Sequence, residues 1–243
     1  MMEINAKGVH YRDLNKKIRG AITIGDREIL LRNINGQRHI SNGIRGDLKI
    51  FIEGVPGNDL AAFIDGPTII VNTNAQDAVG NTMNDGKIVI HGDAGDLLGY
   101  GMRGGKLFVK GNVGYRVGIH MKTYKEKAPI MIVGGLARDF LGEYMAGGIL
   151  ILLGLNKKTP IIGNYIGTGM HGGAIYIRGN VKEHQLGKEI VISETTEEDE
   201  KLLIRHLTEY CQYFNLDLHK LLCEKFTKLI PVFGRPYRKV YAY

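Results

Sequence analysis

Tryptophan is absent from this chain of 243 residues, proline occurs only six times and cysteine twice. Two cysteines, Cys211 and Cys223, are too few for a disulfide framework, and their spacing fits no CxxC zinc site. They fall in a helix-forming region and are expected to be free, buried thiols. Long apolar runs are missing as well. The longest, residues 149–153, is far short of the ~20 residues that cross a bilayer as a helix. The opening Met1-Met2-Glu3-Ile4-Asn5 lacks the basic-then-apolar layout of a signal peptide, so a cytoplasmic location without membrane contact is expected. At 44% apolar and 23% charged residues, the composition is neither that of a disordered chain nor of a collagen.

The formal net charge is +7, and it is unevenly placed. Residues 1–49 carry ten Lys/Arg against five Asp/Glu, and residues 201–243 carry eight against three. Residues 193–200 carry five acids and no base. The basic excess spares the middle of the chain, and no strand pattern with base-stacking aromatics accompanies it. Solvated or partner-facing termini are expected, not a nucleic-acid partner.

Glycine is what the chain has in surplus, 34 residues, and it is periodic. Strand-like segments recur as Lys49-Ile-Phe-Ile-Glu53, Thr68-Ile-Ile-Val-Asn72, Lys87-Ile-Val-Ile-His91, Lys106-Leu-Phe-Val-Lys110, Pro129-Ile-Met-Ile-Val133, Ile149-Leu-Ile-Leu-Leu153 and Ala174-Ile-Tyr-Ile-Arg178. Their spacings are 19, 19, 19, 23, 20 and 25 residues. Two aliphatic columns result: Ile50, Ile69, Ile88, Leu107, Ile130, Leu150 and Ile175, and beside it Ile52, Val71, Ile90, Val109, Ile132, Leu152 and Ile177. Such alternation predicts one fully buried strand face, with His91 on the outward one.

A second motif follows the strands in Asp77-Ala-Val-Gly-Asn-Thr-Met83, Asp96-Leu-Leu-Gly-Tyr-Gly-Met102, Tyr115-Arg-Val-Gly-Ile-His-Met121, Asp139-Phe-Leu-Gly-Glu-Tyr-Met145 and Asn164-Tyr-Ile-Gly-Thr-Gly-Met170. Degenerate earlier copies lie at residues 58–64 and 37–44. A repeat of this length with strands and no helix is a solenoid. The fold predicted is all-β: a right-handed parallel β-helix of about seven coils, stacked about 4.8 Å apart into a rod of roughly 34 Å. A left-handed hexapeptide helix is disfavoured, because stepping by six from Ile88 reaches Ala94, Tyr100 and Lys106.

Three parts follow: an N-terminal cap over 1–28, the β-helix over 29–192, and a helical cap and tail over 193–243. A short helix over residues 10–19 belongs to the first part. In the last, Thr195-Thr-Glu-Glu198 reads as a capping box. Leu203, Leu207, Tyr210 and Phe214 then form the apolar stripe of a helix. A second helix is expected over 217–226, and an irregular tail over 230–237, broken by Pro231 and Pro236. Open solenoid ends need cover against edge pairing, which gives the caps a purpose.

Several motifs suggest chemistry and have plainer explanations. Gly99-Tyr-Gly-Met-Arg-Gly104 and Gly167-Thr-Gly-Met-His-Gly172 spell the dinucleotide fingerprint, but strands follow them where a helix is required. Met83, Met102, Met121, Met145 and Met170, in column with Ile64, suit a narrow core better than a soft-metal ladder. Asp77, Asp96, Asp139 and Asn164 fit no calcium repeat and are expected to bond turn backbone. The spacing nominates no catalytic, cofactor or metal residue. The long fourth turn, residues 122–127, is the main departure from a bare scaffold. Lys122, Lys125 and Lys127, with Arg138, Asp139 and Glu143, are candidate partner-docking residues, and a solvated insertion is the alternative. A free-standing hydrolase or transferase would place its cleft around His120, Arg138, Asp139 and Glu143.

The repeated Asp/Asn-x-aliphatic-Gly-x-x-Met unit resembles the GXGXG β-helix domain of the glutamate synthase large subunit, over about residues 30–180. Residues 57–66, 76–86, 113–121 and 139–148 look most like the archaeal type, in which that domain is a separate polypeptide. The β-helical subunit of formylmethanofuran dehydrogenase is similar and shares the coil. The resemblance implies a place in nitrogen metabolism. The implied complex makes glutamate from glutamine and 2-oxoglutarate, with FMN and an iron–sulfur cluster in partner subunits. There the β-helix packs between amidotransferase and synthase components as a non-catalytic spacer. A homo-oligomer is compatible with the same reading. The chain starts Met1-Met2-Glu3, without the cysteine nucleophile such a glutaminase requires, and two cysteines are too few for a cluster. Met102→Asp should abolish soluble folding, because an unpaired carboxylate in the column costs several kcal/mol. Expression trials with circular dichroism on any soluble fraction check this.

Overall fold

The structure is a computed structural model and describes residues 1–155 and 161–232. The chain opens with β1 (Met2–Asn5) and α1 (Tyr11–Thr23). Eight strands follow: β2 (Glu28–Asn35), β3 (Lys49–Val55), β4 (Asp65–Val71), β5 (Asp85–Ile90), β6 (Lys106–Val109), β7 (Ile130–Val133), β8 (Ala146–Leu152) and β9 (Gly172–Arg178). Then come β10 (Ile190–Ser193), α2 (Glu197–Phe214), α3 (Leu218–Leu222) and β11 (Phe226–Pro231). The eleven strands of the described residues form one sheet in the order β1 through β9, then β11 and β10. Pairing is parallel from β1 to β9 and antiparallel for the last two. This is the parallel β-helix that the repeat predicts, with about six turns instead of about seven. The first motif copy serves as the seat of the cap. Its Ser41 N–H donates to Asn15 of α1, and Arg19 of α1 donates to the Asn42 carbonyl.

The interior is apolar. Ile29, Ile50, Ile69, Ile88 and Leu107 align through successive ladder pairs, and so do Leu31, Ile52, Val71, Ile90 and Val109. The predicted columns then slip by one residue at β7. Leu107 pairs with Met131 and Val109 with Val133, so Met131 and Val133 continue the core while Ile130 and Ile132 face outward. Five consecutive apolar residues at 129–133 hold no alternation that could set the register, and a one-residue slip exchanges the two faces. The spacing to β7 is thus 24, and the step from β7 to β8 returns to 19.

The outward face has its own core, where only one buried face is expected from the sequence. Ile70, Val89, Phe108, Ile132, Ile151 and Tyr176 are ladder neighbours along the middle of the sheet. Val89, Phe108, Ile132 and Ile151 are fully buried, beneath Leu203, Leu207, Tyr210 and Phe214 of α2. The apolar stripe of α2 is as predicted, and this strip is what it covers. Polar contacts fix its position. The Tyr210 hydroxyl donates to the Val109 carbonyl at 2.9 Å, and burial pushes its pKa up. Lys87 and Lys106 both reach the carboxylate of Glu209. His91 lies under this helix, edge-on to Phe214 at 5.1 Å, and is not on an open face. Burial, with Lys110 nearby, lowers its pKa.

The termini differ from expectation in detail. His10 caps α1, which runs on to Thr23. β1 joins the sheet, so the N-terminal cap contributes a strand. The capping box of α2 sits one residue later, with Thr196 as N-cap and Asp199 three residues on. The second helix is only Leu218–Leu222, because the chain enters β11 at Phe226 to pair with β9, with Leu229 in the interior and Phe226 in the outer cluster under α2. Residues 230 and 231 are therefore strand, and 233–237 of the predicted tail lie outside the described residues. Cys211 is buried, with its thiol pKa raised by that burial; Cys223 is exposed, since α3 buries only Leu221.

Asp199 anchors the start of α2. Burial alone would raise its pKa, but bonds from Lys228 (2.7 Å), the Tyr176 hydroxyl (2.5 Å) and Thr196 hold it down at about 2. A carboxylate with a depressed folded pKa stabilises the fold above its unfolded value near ~4, and that contribution is lost as pH falls through about 2. The stability gap between the native protein and Asp199→Asn should therefore shrink by about 2 kcal/mol from pH 5 to pH 2, as urea unfolding would measure.

Candidate functional site

Opposite the strands, each coil turns through a corner in which alternate residues have positive φ. The triplets are His39, Ser41, Gly43; Asp59, Ala61, Phe63; Ala78, Gly80, Thr82; Leu97, Gly99, Gly101; Arg116, Gly118, His120; Phe140, Gly142, Tyr144; and Tyr165, Gly167, Gly169. The middle member is always Gly, Ala or Ser, since it faces the next coil. A Cβ on Gly118 would come within 2.7 Å of Leu150 Cδ1. The residues between the first and middle members, such as Val117 and Leu141, point into the core. The first and third members stand outward, and there the later coils place Arg116, His120, Phe140, Tyr144 and Tyr165; Tyr100, which follows the middle Gly99, is outward as well.

Those side chains stack from coil to coil. The His120 ring lies parallel to Tyr144 at 5.2 Å and edge-on to Tyr100 at 5.7 Å. Phe140 stacks on Tyr165 at 4.9 Å, and the Arg116 guanidinium sits 4.6 Å from the Phe140 centroid. Tyr100, Tyr144 and Tyr165 are 40%, 45% and 55% exposed, although they belong to a rigid corner. The guanidinium of Arg116 is held by Glu143, whose side chain is 7% exposed. The charge and spacing patterns do not single out this exposed ladder of rings. Its signal in the sequence is an aromatic or Arg at alternate positions of the fifth, sixth and seventh motif copies, on either side of a small residue.

The predicted docking residues separate into structural and exposed ones. Lys127 is committed to Asp85 at 2.6 Å, with Asp65 at 3.8 Å, and Asp85 raises its pKa. Tyr124 and Lys127 close the long turn by paired backbone bonds of 3.0 and 3.1 Å. Lys125 is exposed, its ammonium 5.5 Å from the Tyr124 ring centroid, and Lys122 is half-buried. Arg138 is exposed, while Asp139 accepts from the Asn164 amide at 2.7 Å and belongs to the coil contact. Glu143 is buried against Arg116. The long turn packs beside Gly104 and Gly147, whereas Arg138 and Asp139 start a corner beside Gly114 and Gly163. Of the four residues named for a catalytic cleft, His120 is stacked between tyrosines, and Asp139 and Glu143 have structural partners.

The fingerprint matches and the acidic column resolve in the same way. The amides of Gly99 and Gly101 donate to Val79 and Ile119, so neither is available to a pyrophosphate, and β6 follows. Asp77 accepts from the Asp96 amide at 2.9 Å, and Asp96 from Tyr115 at 2.8 Å. A second ladder of the same kind, outside the motif copies, runs from Asn74 to Asp93 to Asn112 to Leu136. The recipient coil must lack a side chain there: a Cβ on Gly95 would lie 2.0 Å from Asp77 Oδ1. Among the described residues, no three His, Cys, Asp or Glu gather to hold a metal ion, and no helix is long and apolar enough to cross a membrane. A cleft of about 410 Å³ lies elsewhere, lined by Thr68, Asp85, Lys87, Lys106, Lys127 and Ile130.

The GXGXG motif family profile matches residues 16–237, which takes in every one of these corners. The chain belongs to the GXGXG motif family. It is 52% identical to an uncharacterized protein of Methanocaldococcus jannaschii, over 98% of this chain and 95% of that protein. It is 29% identical to ferredoxin-dependent glutamate synthase 2 of a Synechocystis species, over 65% of this chain but only 10% of that protein. A chain in the formyltransferase/hydrolase complex of Methylorubrum extorquens has the same fold, with a TM-score of 0.59 and 19% identity over 82% of this chain and 71% of that one. In this GXGXG chain the motif is the left-handed corner itself, and Gly-x-Gly is fully spelled in only some copies. Glu143→Ala should lower stability by about 1–2 kcal/mol through the lost charged bond to Arg116, whose side chain is 43% exposed and takes up water instead, and His120→Ala by under about 1 kcal/mol. Thermal melts of the two variants compare them.

Proposed function

We propose that this protein is a non-catalytic structural subunit of a glutamate synthase-type complex. In this reading it packs between an amidotransferase and a synthase component that carries FMN and an iron–sulfur cluster, and it binds no cofactor itself. The observation that carries the proposal is the ladder of exposed rings on the left-handed corner, Tyr100, His120, Tyr144, Phe140 and Tyr165, with Arg116 among them. Tyrosine and arginine concentrate binding energy at protein interfaces, and rings already held by a rigid backbone lose little freedom on docking. The context comes from the Synechocystis relative, a ferredoxin-dependent glutamate synthase in which the matching stretch is 10% of the protein. Candidate groups for chemistry are spent inside the fold, as Glu143 on Arg116 and Asp139 on the next coil illustrate.

Co-expression with the amidotransferase and synthase chains encoded by the same host tests this. The expected result is a co-eluting assembly with flavin absorbance that forms glutamate from glutamine and 2-oxoglutarate. Tyr144→Ala combined with Phe140→Ala should weaken that assembly by about 2 kcal/mol, roughly 30-fold in Kd, with the fold intact. Elution of this chain alone, or with formyl-transferring subunits instead, would overturn the reading.

A further inference from the structure

Among the described residues the sheet has two outer edges, β1 at the start of the rod and β10 at its end. β10 is antiparallel to β11, which is antiparallel to β9, so β10 runs in the same direction as β1. A second copy displaced along the rod therefore presents its β1 to β10 as a parallel pair, the arrangement that β1 already makes with β2. Edge strands are ordinarily blunted by Lys, Pro or a bulge. Neither Met2-Glu-Ile-Asn5 nor Ile190-Val-Ile-Ser193 contains Lys or Pro, and Met2, Val191 and Ile192 are 40%, 41% and 48% exposed.

Although both ends of the sequence carry a basic excess, each end of the rod presents a patch of its own sign, basic on α1 and acidic at the start of α2. α1 buries Leu14, Ile18 and Ala21 against the first coil. Its other face, with the turn before it, exposes Lys7, Arg12, Lys16, Lys17 and Arg19 against a single exposed acid, Asp13. At the far end, α2 starts beside β9 and β11, where Asp199 bonds Tyr176 and Lys228. It runs back to β5, where Lys87 bonds Tyr213. Its exposed Glu197, Glu198 and Glu200, with Glu194 before them, thus mark the end of the rod that carries β10. Lys201 lies within this run, and the exposed Lys188 and Lys225 stand just before β10 and β11.

We propose that copies of this chain dock head to tail. The basic face of α1 and the β1 edge of one copy meet the acidic start of α2 and the β10 edge of the next. The contact is heterologous: each copy uses a different surface at each end, so it extends to short rows unless a rotation closes a ring. A second copy is the occupant because the chain carries both halves of the charge match and two edges of the same strand direction. The inference is independent of the glutamate synthase reading, since it concerns the isolated chain.

Light scattering behind size exclusion on the full chain tests it at about 50 mM and about 500 mM NaCl, where the Debye length drops severalfold. The expected result is a mass that rises with concentration above the 26.9 kDa monomer in low salt and returns to the monomer in high salt. Lys16→Glu with Lys17→Glu, and separately Glu197→Lys with Glu198→Lys, should each weaken association at least about tenfold. Mixing the two variants should restore it, because each then offers the surface that the other needs. If the second pair disturbs α2, Glu194→Lys lies ahead of the helix and makes the same kind of change. A wild type that stays monomeric in low salt, single variants that associate like the wild type, or a mixture that fails to recover would overturn the proposal. Binding of heparin or RNA to the α1 face without self-association would also overturn it.

Discussion

At the same point of successive turns, a glycine amide donates to the coil before it: Gly80 to Leu60, Gly99 to Val79, Gly118 to Leu98, Gly142 to Val117 and Gly167 to Leu141, all at 2.8–2.9 Å. The rest of the molecule depends on that contact. It demands a backbone that turns left-handed at alternate residues, which in turn excludes large side chains from the middle position and sends them outward on either side. It holds neighbouring coils so close that where Asp77 and Asp96 bridge to the amides of Asp96 and Tyr115, the residue before each recipient, Gly95 or Gly114, has no room for a Cβ. The thioethers of Met83, Met102, Met121, Met145 and Met170 fill the remaining interior, all fully buried.

Much of this is legible in the sequence because a repeat states the same constraint several times. The strand columns, the methionine column and the backbone-bonding acids can all be read from single positions repeated across coils. Register is lost at residues 129–133, where every side chain is apolar and periodicity carries no information. The covered outer face is hidden for a related reason. Its apolar residues are as regular as the inner ones, from Ile70 to Tyr176, but alternation is conventionally assigned to one buried face. The apolar stripe of α2 is recognisable without the surface that receives it. Coupling the two requires knowing that residues about a hundred positions apart meet, as Tyr210 and Val109 do.

The candidate docking residues are legible only as charge. Lys127, Asp139 and Glu143 look available in a sequence because nothing there shows Asp85, the Asn164 amide or Arg116 beside them. The exposed rings escape notice for the opposite reason. Tyrosine and phenylalanine in a glycine-rich repeat read as core, and only the left-handed corner turns them outward. The charge sum is more informative at the N-terminus, where α1 separates a buried face from a solvated one and its basic excess stays on the outside.

The cover that α2 gives to Val89, Phe108, Ile132 and Ile151 is made only after every one of the strands that carry them. On a ribosome, the coils can stack one after another as they emerge, because each needs only its predecessor. Their outer strip then stays bare until residue 214 has left the exit tunnel. The nascent rod thus passes through a stage with a finished interior and a greasy flank, and the speed with which the helix closes over it sets how long a chaperone has to shield it.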